Sequence, residues 1–225
     1  MMKLSLFTVS FAGLWGQDRL SLEESIDEAA ALGFEGVEIM GKRPHLSPLD
    51  WPLENCKRLR DRIEEKGMAV SAVAGYTDFT SAMDRPEIPA VEMQVSYVEA
   101  LAQRAQALGT DLVRIFSSYE RGDAPFAAQW NRTVSALQEC CDRAAAYGVT
   151  LGLQNHHDIG ADTKTLRALM AQVHRDNLAP MYDCWSIHLR GEDVAQGAKR
   201  MAPRMPFTTV ADYVTLPRTR YCPEM

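Results

Sequence analysis

Four times along this chain an amphipathic helical run closes on a glycine, and a short apolar run follows almost at once. The junctions are AAALGFEGVEIM at Gly33, IEEKGMAVSAVAG at Gly67, AQALGTDLVRIFS at Gly109 and AAAYGVTLGLQN at Gly148. Glycine just past a helix end is the residue that takes the left-handed cap conformation, so each junction reads as helix, cap, strand. The strand segments LSLFTV, GVEI, AVSAVA, LVRIF and TLGLQ are continuously apolar rather than alternating. Runs of that kind belong to a parallel sheet covered on both faces.

Helical patterns lie near 19–32, 53–66, 88–108, 126–147 and 163–173, and two further strands fit at LAPMYD (178–183) and PFTTVAD (206–212). Seven strands alternating with about six helices leave two architectures, a doubly wound open sheet or a (β/α)8 barrel. A dinucleotide fold would show G-x-G-x-x-G after the first strand, where this chain reads SFAGLWGQD. The expectation is therefore an α/β protein, a (β/α)8 TIM barrel lacking its eighth strand, with residues 1–225 as one domain. The last residues, YCPEM, follow the seventh strand closely and read as an interrupted loop, which favours truncation before the eighth strand over closure by oligomerisation or a degenerate open form. A barrel one strand short exposes two parallel edges, and a homo-oligomer is one way to cover them.

Composition narrows the function classes. A hydrophobic share of 46% supports a sizeable core, and a net charge of −6 argues against a nucleic-acid partner. No run approaches the roughly 18 apolar residues of a membrane span, and no targeting segment is visible. The five cysteines (Cys56, Cys140, Cys141, Cys184 and Cys222) are odd in number and lack C-x-x-C spacing, which fits a reducing cytoplasm.

In barrel enzymes the reacting groups sit at the C-terminal ends of the strands. Those positions here hold Ser10 and Trp15, then Glu38, then Gly75, Tyr76 and Asp78, then Arg114 and Ser117. The fifth strand ends in Gln154, Asn155, His156 and His157, the sixth in Tyr182 and Asp183 with Trp185 and His188 beyond, and the seventh offers Thr208, Thr209 and Asp212. Each has a plainer reading. Glu38 and Arg114 could be a buried ion pair that fills the barrel, the tryptophans could be packing residues, and His45 and His174 read as structural or solvated. Polar groups nevertheless gather at one end of nearly every strand, while the opposite ends read KGM, LGT and YGV. Stability alone does not require that asymmetry.

The stretches LGFEGVEIMGKRPH, VSAVAGYTDF, LVRIFSSYE, GVTLGLQNHHD and MYDCWSIHLRGED, in this order, resemble the sugar phosphate isomerase/epimerase family, the xylose isomerase-like TIM barrels. That family includes AP endonucleases of the endonuclease-four type (AP endonuclease family 2), tagatose and psicose epimerases and inosose dehydratase. The resemblance implies a divalent metal (Mn, Mg, Co or Zn) held by a Glu, Asp, His, Glu set, with the glutamates moving a proton on and off carbon. Carried over, the fifth-strand Glu falls on Gln154, the sixth-strand Asp on Asp183, and the seventh-strand His on Thr209 ahead of Asp212. The eighth-strand Glu has no counterpart. A rebuilt metal site would use Gln154, His156 and Asp183, with Glu38 reaching across.

The function expected is a sugar or sugar-phosphate isomerase/epimerase-like enzyme, acting on a small polyhydroxylated carbonyl compound by metal-assisted proton transfer. Gln154, His156, Asp183 and Glu38 would carry the chemistry, and Trp15, Arg114, His157, Trp185 and His188 would contact the substrate. The alternative is a non-catalytic sugar-binding or regulatory relative with a degenerate metal site, favoured by the amide at 154 and the threonine at 209.

Overall fold

A computed structural model describes residues 2–156 and 158–211. Its seven strands are β1 (Ser5–Phe7), β2 (Gly36–Met40), β3 (Ala69–Ala74), β4 (Leu112–Ile115), β5 (Thr150–Gln154), β6 (Leu178–Asp183) and β7 (Thr208–Thr209). They pair in sequence order, each parallel to the next. The helices are α1 (Leu22–Ala31), α2 (Leu53–Glu65), α3 (Ala90–Ala107), α4 (Phe126–Ala145), α5 (Thr163–Val173), α6 (Cys184–Leu189) and α7 (Val194–Met201). Strand, helix, strand in unbroken alternation with nearest-neighbour parallel pairing is the winding of a TIM barrel.

Local chemistry accounts for the element ends. All four junction glycines take positive φ, from 68° at Gly148 to 80° at Gly33, so the chain leaves each helix through a conformation that disfavours a Cβ. Helix α1 starts on a capping box: the Ser21 hydroxyl accepts from the Glu24 amide and the Glu24 carboxylate accepts from the Ser21 amide. Asp162 caps α5 by accepting from the Thr165 amide. Strand β1 is shorter than its apolar run because Thr8–Phe11 turn into a 3-10 helix. The PFTTVAD segment contributes only Thr208 and Thr209 to the sheet, and Asp212 lies outside the described residues.

One continuous core joins the sheet to its helices. Val37 and Ile39 of β2, Val113 and Ile115 of β4, and Leu151 and Leu153 of β5 belong to it, together with Ile26, Leu59, Leu101, Leu137 and Leu166 from the helices. Each such side chain contributes about 1.5–3 kcal/mol through burial. Strand alternation then sends Glu38, Arg114 and Gln154 to the opposite face, into the barrel. Cys56, Cys140 and Cys141 pack in the helical layer as free thiols, and burial pushes the Cys141 thiol up to about 12.

Among the described residues β1 and β7 do not pair with each other. A cavity of about 590 Å³ opens at that seam, lined by Leu4, Ser5, Phe34, Ala69, Phe207 and Thr208 near the N-terminal ends of the strands. It lies away from the polar mouth. No helix among the described residues is long and apolar enough to cross a membrane.

Candidate functional site

Glu38 and Arg114 meet inside the barrel. Arg114 Nε lies 3.6 Å from Glu38 Oε1, and both side chains are almost fully buried. Strand β3 runs between their strands, and its residues at that level are Ala72, paired with Glu38, and Ala74, paired with Arg114. Two methyl side chains leave the space in which a carboxylate and a guanidinium can meet across an intervening strand. The guanidinium donates from Nη1 to the Gly75 carbonyl at 2.9 Å. Its central carbon stands 4.4 Å from the Phe116 ring centre, 4.8 Å from that of Tyr76 and 5.3 Å from that of Phe7.

This is a charge pair in a cage of aromatic rings, and it is incompletely satisfied. Glu38 Oε1, Arg114 Nε and the Tyr76 hydroxyl are buried without a hydrogen-bond partner. Burial raises the Glu38 carboxyl above the usual carboxylate range, opposed by the Arg114 charge. Lys42, in the loop after β2, places its ammonium 3.9 Å over the Tyr76 ring. Burial pushes its pKa down, and the charge of Arg114 pushes in the same direction.

The loops that carry these groups are tied to the scaffold. The Tyr97 hydroxyl donates to the Gly41 carbonyl at 2.8 Å and accepts from the Tyr76 amide at 3.3 Å, joining the ends of β2 and β3. His45 is buried below Lys42's loop, with Nε2 at 3.2 Å from the Leu20 carbonyl and Nδ1 at 3.0 Å from the Thr8 hydroxyl. A carbonyl only accepts, so Nε2 carries the proton and Nδ1 accepts from Thr8, whose oxygen in turn accepts from the Met40 amide. His45 is therefore structural. His174 is the exposed, left-handed cap of α5.

On the far side of the mouth, Asn155 clamps β5 to β6. Its Nδ2 donates to the Asp183 carbonyl and its Oδ1 accepts from the Asp183 amide, both at 2.9 Å. The Gln154 amide donates weakly to Thr209 Oγ1 at 3.4 Å. Asp183 is the N-cap of α6: Oδ1 accepts from the Trp185 amide at 3.0 Å and Oδ2 from the Ser186 hydroxyl at 2.7 Å. The His156 ring stands edge-on to Phe116, with centroids 4.9 Å apart, which links it through Phe116 to the Arg114 cage.

Of the residues expected from strand ends, the structure thus brings together Glu38 and Arg114, with His156 one ring away. Trp15 is 70% exposed in the loop after the first turn, and Trp185 and His188 lie on the exposed side of α6. His157 lies outside the described residues. Ser117 and Asp78 prove to be loop ties. Asp158 Oδ2 accepts from both the amide and hydroxyl of Ser117, while Asp78 accepts from Thr80, the Tyr119 amide and Arg121. Lys42 and Phe116 were missed by sequence reasoning, although both stand just past a strand end, where the same rule would have found them.

The described donors do not by themselves fit a hard divalent cation. Such ions need several anionic oxygens. Asp183 is the one carboxylate beside Gln154 and Thr209 in these contacts, and each of its oxygens accepts one hydrogen bond from α6. Among the described residues no three histidine, cysteine, aspartate or glutamate side chains gather where a metal could sit.

Comparison with known proteins gives concordant results. A family model described as xylose isomerase-like TIM barrel matches residues 26–221. Fructoselysine 3-epimerase of Escherichia coli O157:H7 is 21% identical over 230 residues, spanning 99% of this chain and 80% of the relative. The structure of an L-ribulose 3-epimerase superimposes with a TM-score of 0.73 at 22% identity, covering 92% of this chain and 69% of that one. The probable 3-DHS dehydratase AsbF of Bacillus anthracis gives a TM-score of 0.74 at 21% identity, covering 91% and 71%. At these identities the structural likeness establishes the fold.

Proposed function

The chain belongs to the xylose isomerase-like TIM barrel family, and on that footing we propose that it is a sugar isomerase or epimerase. Its substrate is a small polyhydroxylated carbonyl compound, and its chemistry is proton transfer at the barrel mouth. The observation that carries this reading is Glu38: a buried carboxyl, raised by its surroundings, with one oxygen unpartnered and an arginine 3.6 Å away. A general acid–base group works best when its pKa approaches the operating pH, and a buried carboxyl is moved in that direction.

In this reading Glu38 takes a proton from the carbon beside the carbonyl, and the positive charge of Arg114 stabilises the negative charge that develops on oxygen. His156, reached through Phe116, returns a proton from the other side; imidazole is suited to that task near neutrality. Gln154 offers an amide to a sugar hydroxyl. Asp183 keeps the β5–β6 rim in place through Asn155 and α6. Trp15, His157, Trp185 and His188 supply the outer contacts to substrate. The set at Gln154, His156 and Asp183 offers a divalent metal a single carboxylate, so no step is derived through one here. Residues 1–225 act as a single domain on a small molecule.

The screen is direct. Purified protein is incubated with a panel of ketoses, their phosphates and keto-acids, and the products are separated by chromatography. Conversion to a carbon epimer or aldose–ketose isomer, lost in Glu38→Gln, is the expected result. Binding of a sugar with no conversion would instead favour a non-catalytic sugar-binding relative. The engagement of both Asp183 oxygens as a helix cap is the observation on that side.

A further inference from the structure

We propose that Lys42 recognises an anionic group on the substrate, a carboxylate or a phosphate, with Arg114 reinforcing the charge and Tyr76 forming the platform between them. The inference rests on the reading of the mouth as a substrate site and adds the substrate's chemical class.

Lys42 Nζ lies 3.9 Å from the centre of the Tyr76 ring and Arg114 Cζ lies 4.8 Å from it. Two cations therefore share one aromatic ring, and the Arg114 charge is one of the two causes that depress the Lys42 pKa. Among the described residues no carboxylate lies within ion-pairing distance of the Lys42 ammonium. The carboxyl of the cluster, Glu38, faces Arg114, and burial raises its pKa.

Arg114 Nε is a buried donor without an acceptor, and the Tyr76 hydroxyl, which can donate or accept, is buried without a partner beside it. Glu38 Oε1 is an unpartnered acceptor, and it does not close the 3.6 Å gap to Nε. Buried or half-buried cations held side by side cost free energy unless something compensates them. A neutral sugar brings hydroxyls, which can accept from these donors but carry no charge to set against the two cations. A carboxylate or phosphate brings acceptors and negative charge together, where this cluster sets one carboxyl against two cations.

The placement suits that task. Lys42 is the half-buried, solvent-side member of the cluster, and Arg114 the fully buried one. The loop that holds Lys42 is braced on three sides. Gly41 is bonded by the Tyr97 hydroxyl, His45 is bonded to Leu20 and Thr8, and Arg104 donates to the Pro48 and Trp51 carbonyls at 2.7 and 2.9 Å. A solvent-exposed lysine needs no such support.

A second basic surface supplies the control. Arg167 and Arg200 line a groove between α5 and α7 on the outside of the barrel and could attract anions without selectivity. The test is isothermal titration of the full chain with three matched probes: fructose, fructose 6-phosphate and 2-ketogluconate. Variants are Lys42→Met, Lys42→Arg and Arg167→Ala, with folding checked by circular dichroism.

The expected result is at least about tenfold tighter binding of one or both anionic probes than of fructose. That preference disappears in Lys42→Met, is retained in part by Lys42→Arg, and is unchanged in Arg167→Ala. Which anionic probe wins tells phosphate from carboxylate. Equal affinity for all three probes would overturn the inference, as would a preference that survives Lys42→Met or vanishes in Arg167→Ala. Anion-selective binding without turnover of any sugar would leave this inference standing and remove the catalytic reading instead.

Discussion

Glu38 and Arg114 face each other across β3 at 3.6 Å, close enough to be an ion pair and too far to complete a hydrogen bond. The arrangement is possible because the strand between them carries alanine at both levels. It also makes the two partners unequal. A carboxyl can take up a proton when its counter-charge is removed, whereas a guanidinium keeps its charge at any accessible pH.

That inequality gives a prediction about stability. Glu38→Met leaves a buried, uncompensated arginine and should cost about 3–5 kcal/mol. Arg114→Met leaves a carboxyl that protonates, so its cost should be smaller and should shrink further at acid pH. Chemical denaturation of both variants at two pH values measures the asymmetry. Equal costs, independent of pH, would contradict it.

Tyr97 is expected to act on the site through position alone. Its hydroxyl ties the loop of Lys42 to the loop of Tyr76, so Tyr97→Phe frees the Gly41 carbonyl and the Tyr76 amide together. The loss should be about 1–3 kcal/mol of stability. Ligand affinity at the mouth should weaken as well, while the pH dependence of any turnover stays where it was. A variant with unaltered affinity would show that these loops are held by other contacts.

His45 should give the fold a pH dependence of known sign. Burial lowers its pKa, so the neutral ring belongs to the native state. Its contribution is fully present above the unfolded value of about 6.5 and is lost as pH falls from there toward the depressed folded value. The loss cannot exceed about 1.4 kcal/mol per pH unit for this one group. Denaturation of the wild type and His45→Gln between about pH 7.5 and about pH 5.5 should show the smaller loss in the variant. Parallel curves would mean that His45 does not titrate with unfolding.

Gln154→Glu restores a carboxylate at the rim beside Asp183 and Thr209. Divalent cation affinity, read by calorimetry with Mn²⁺, should rise above that of the wild type, since an anionic oxygen replaces a neutral one. No change would indicate that residue 154 and Asp183 cannot share an ion.

The fold was legible because its signals are local. A helix that ends in glycine and turns at once into an apolar strand needs no tertiary information, and β3, β5 and β6 fall on the runs read from sequence. The site was legible only as a list. Strand-end position listed the proposed site residues Glu38, Arg114 and His156 together with Ser117 and Asp78, whose polar atoms serve to hold neighbouring loops. Nor could it show that Asp183 spends both oxygens on α6. Such assignments depend on which atom lies within reach of which, over separations of 41 residues for Ser117 and Asp158. Lys42 stands just past a strand end but escaped notice because a lysine in a loop ordinarily reads as solvated; its distance from Tyr76 is what sets it apart.

The most direct test of the central claim is exchange of carbon-bound hydrogen with solvent. Candidate ketoses and their anionic forms are incubated with the protein in D₂O, and proton NMR follows the signal of the carbon beside the carbonyl. The account predicts loss of that signal with wild-type protein, at least about a hundredfold slower in Glu38→Gln, even for a substrate whose net conversion is too small to detect. Exchange that proceeds equally in Glu38→Gln would contradict the role given to this carboxyl. Tight binding with no exchange in any sugar would make the barrel mouth a recognition site and not a catalytic one.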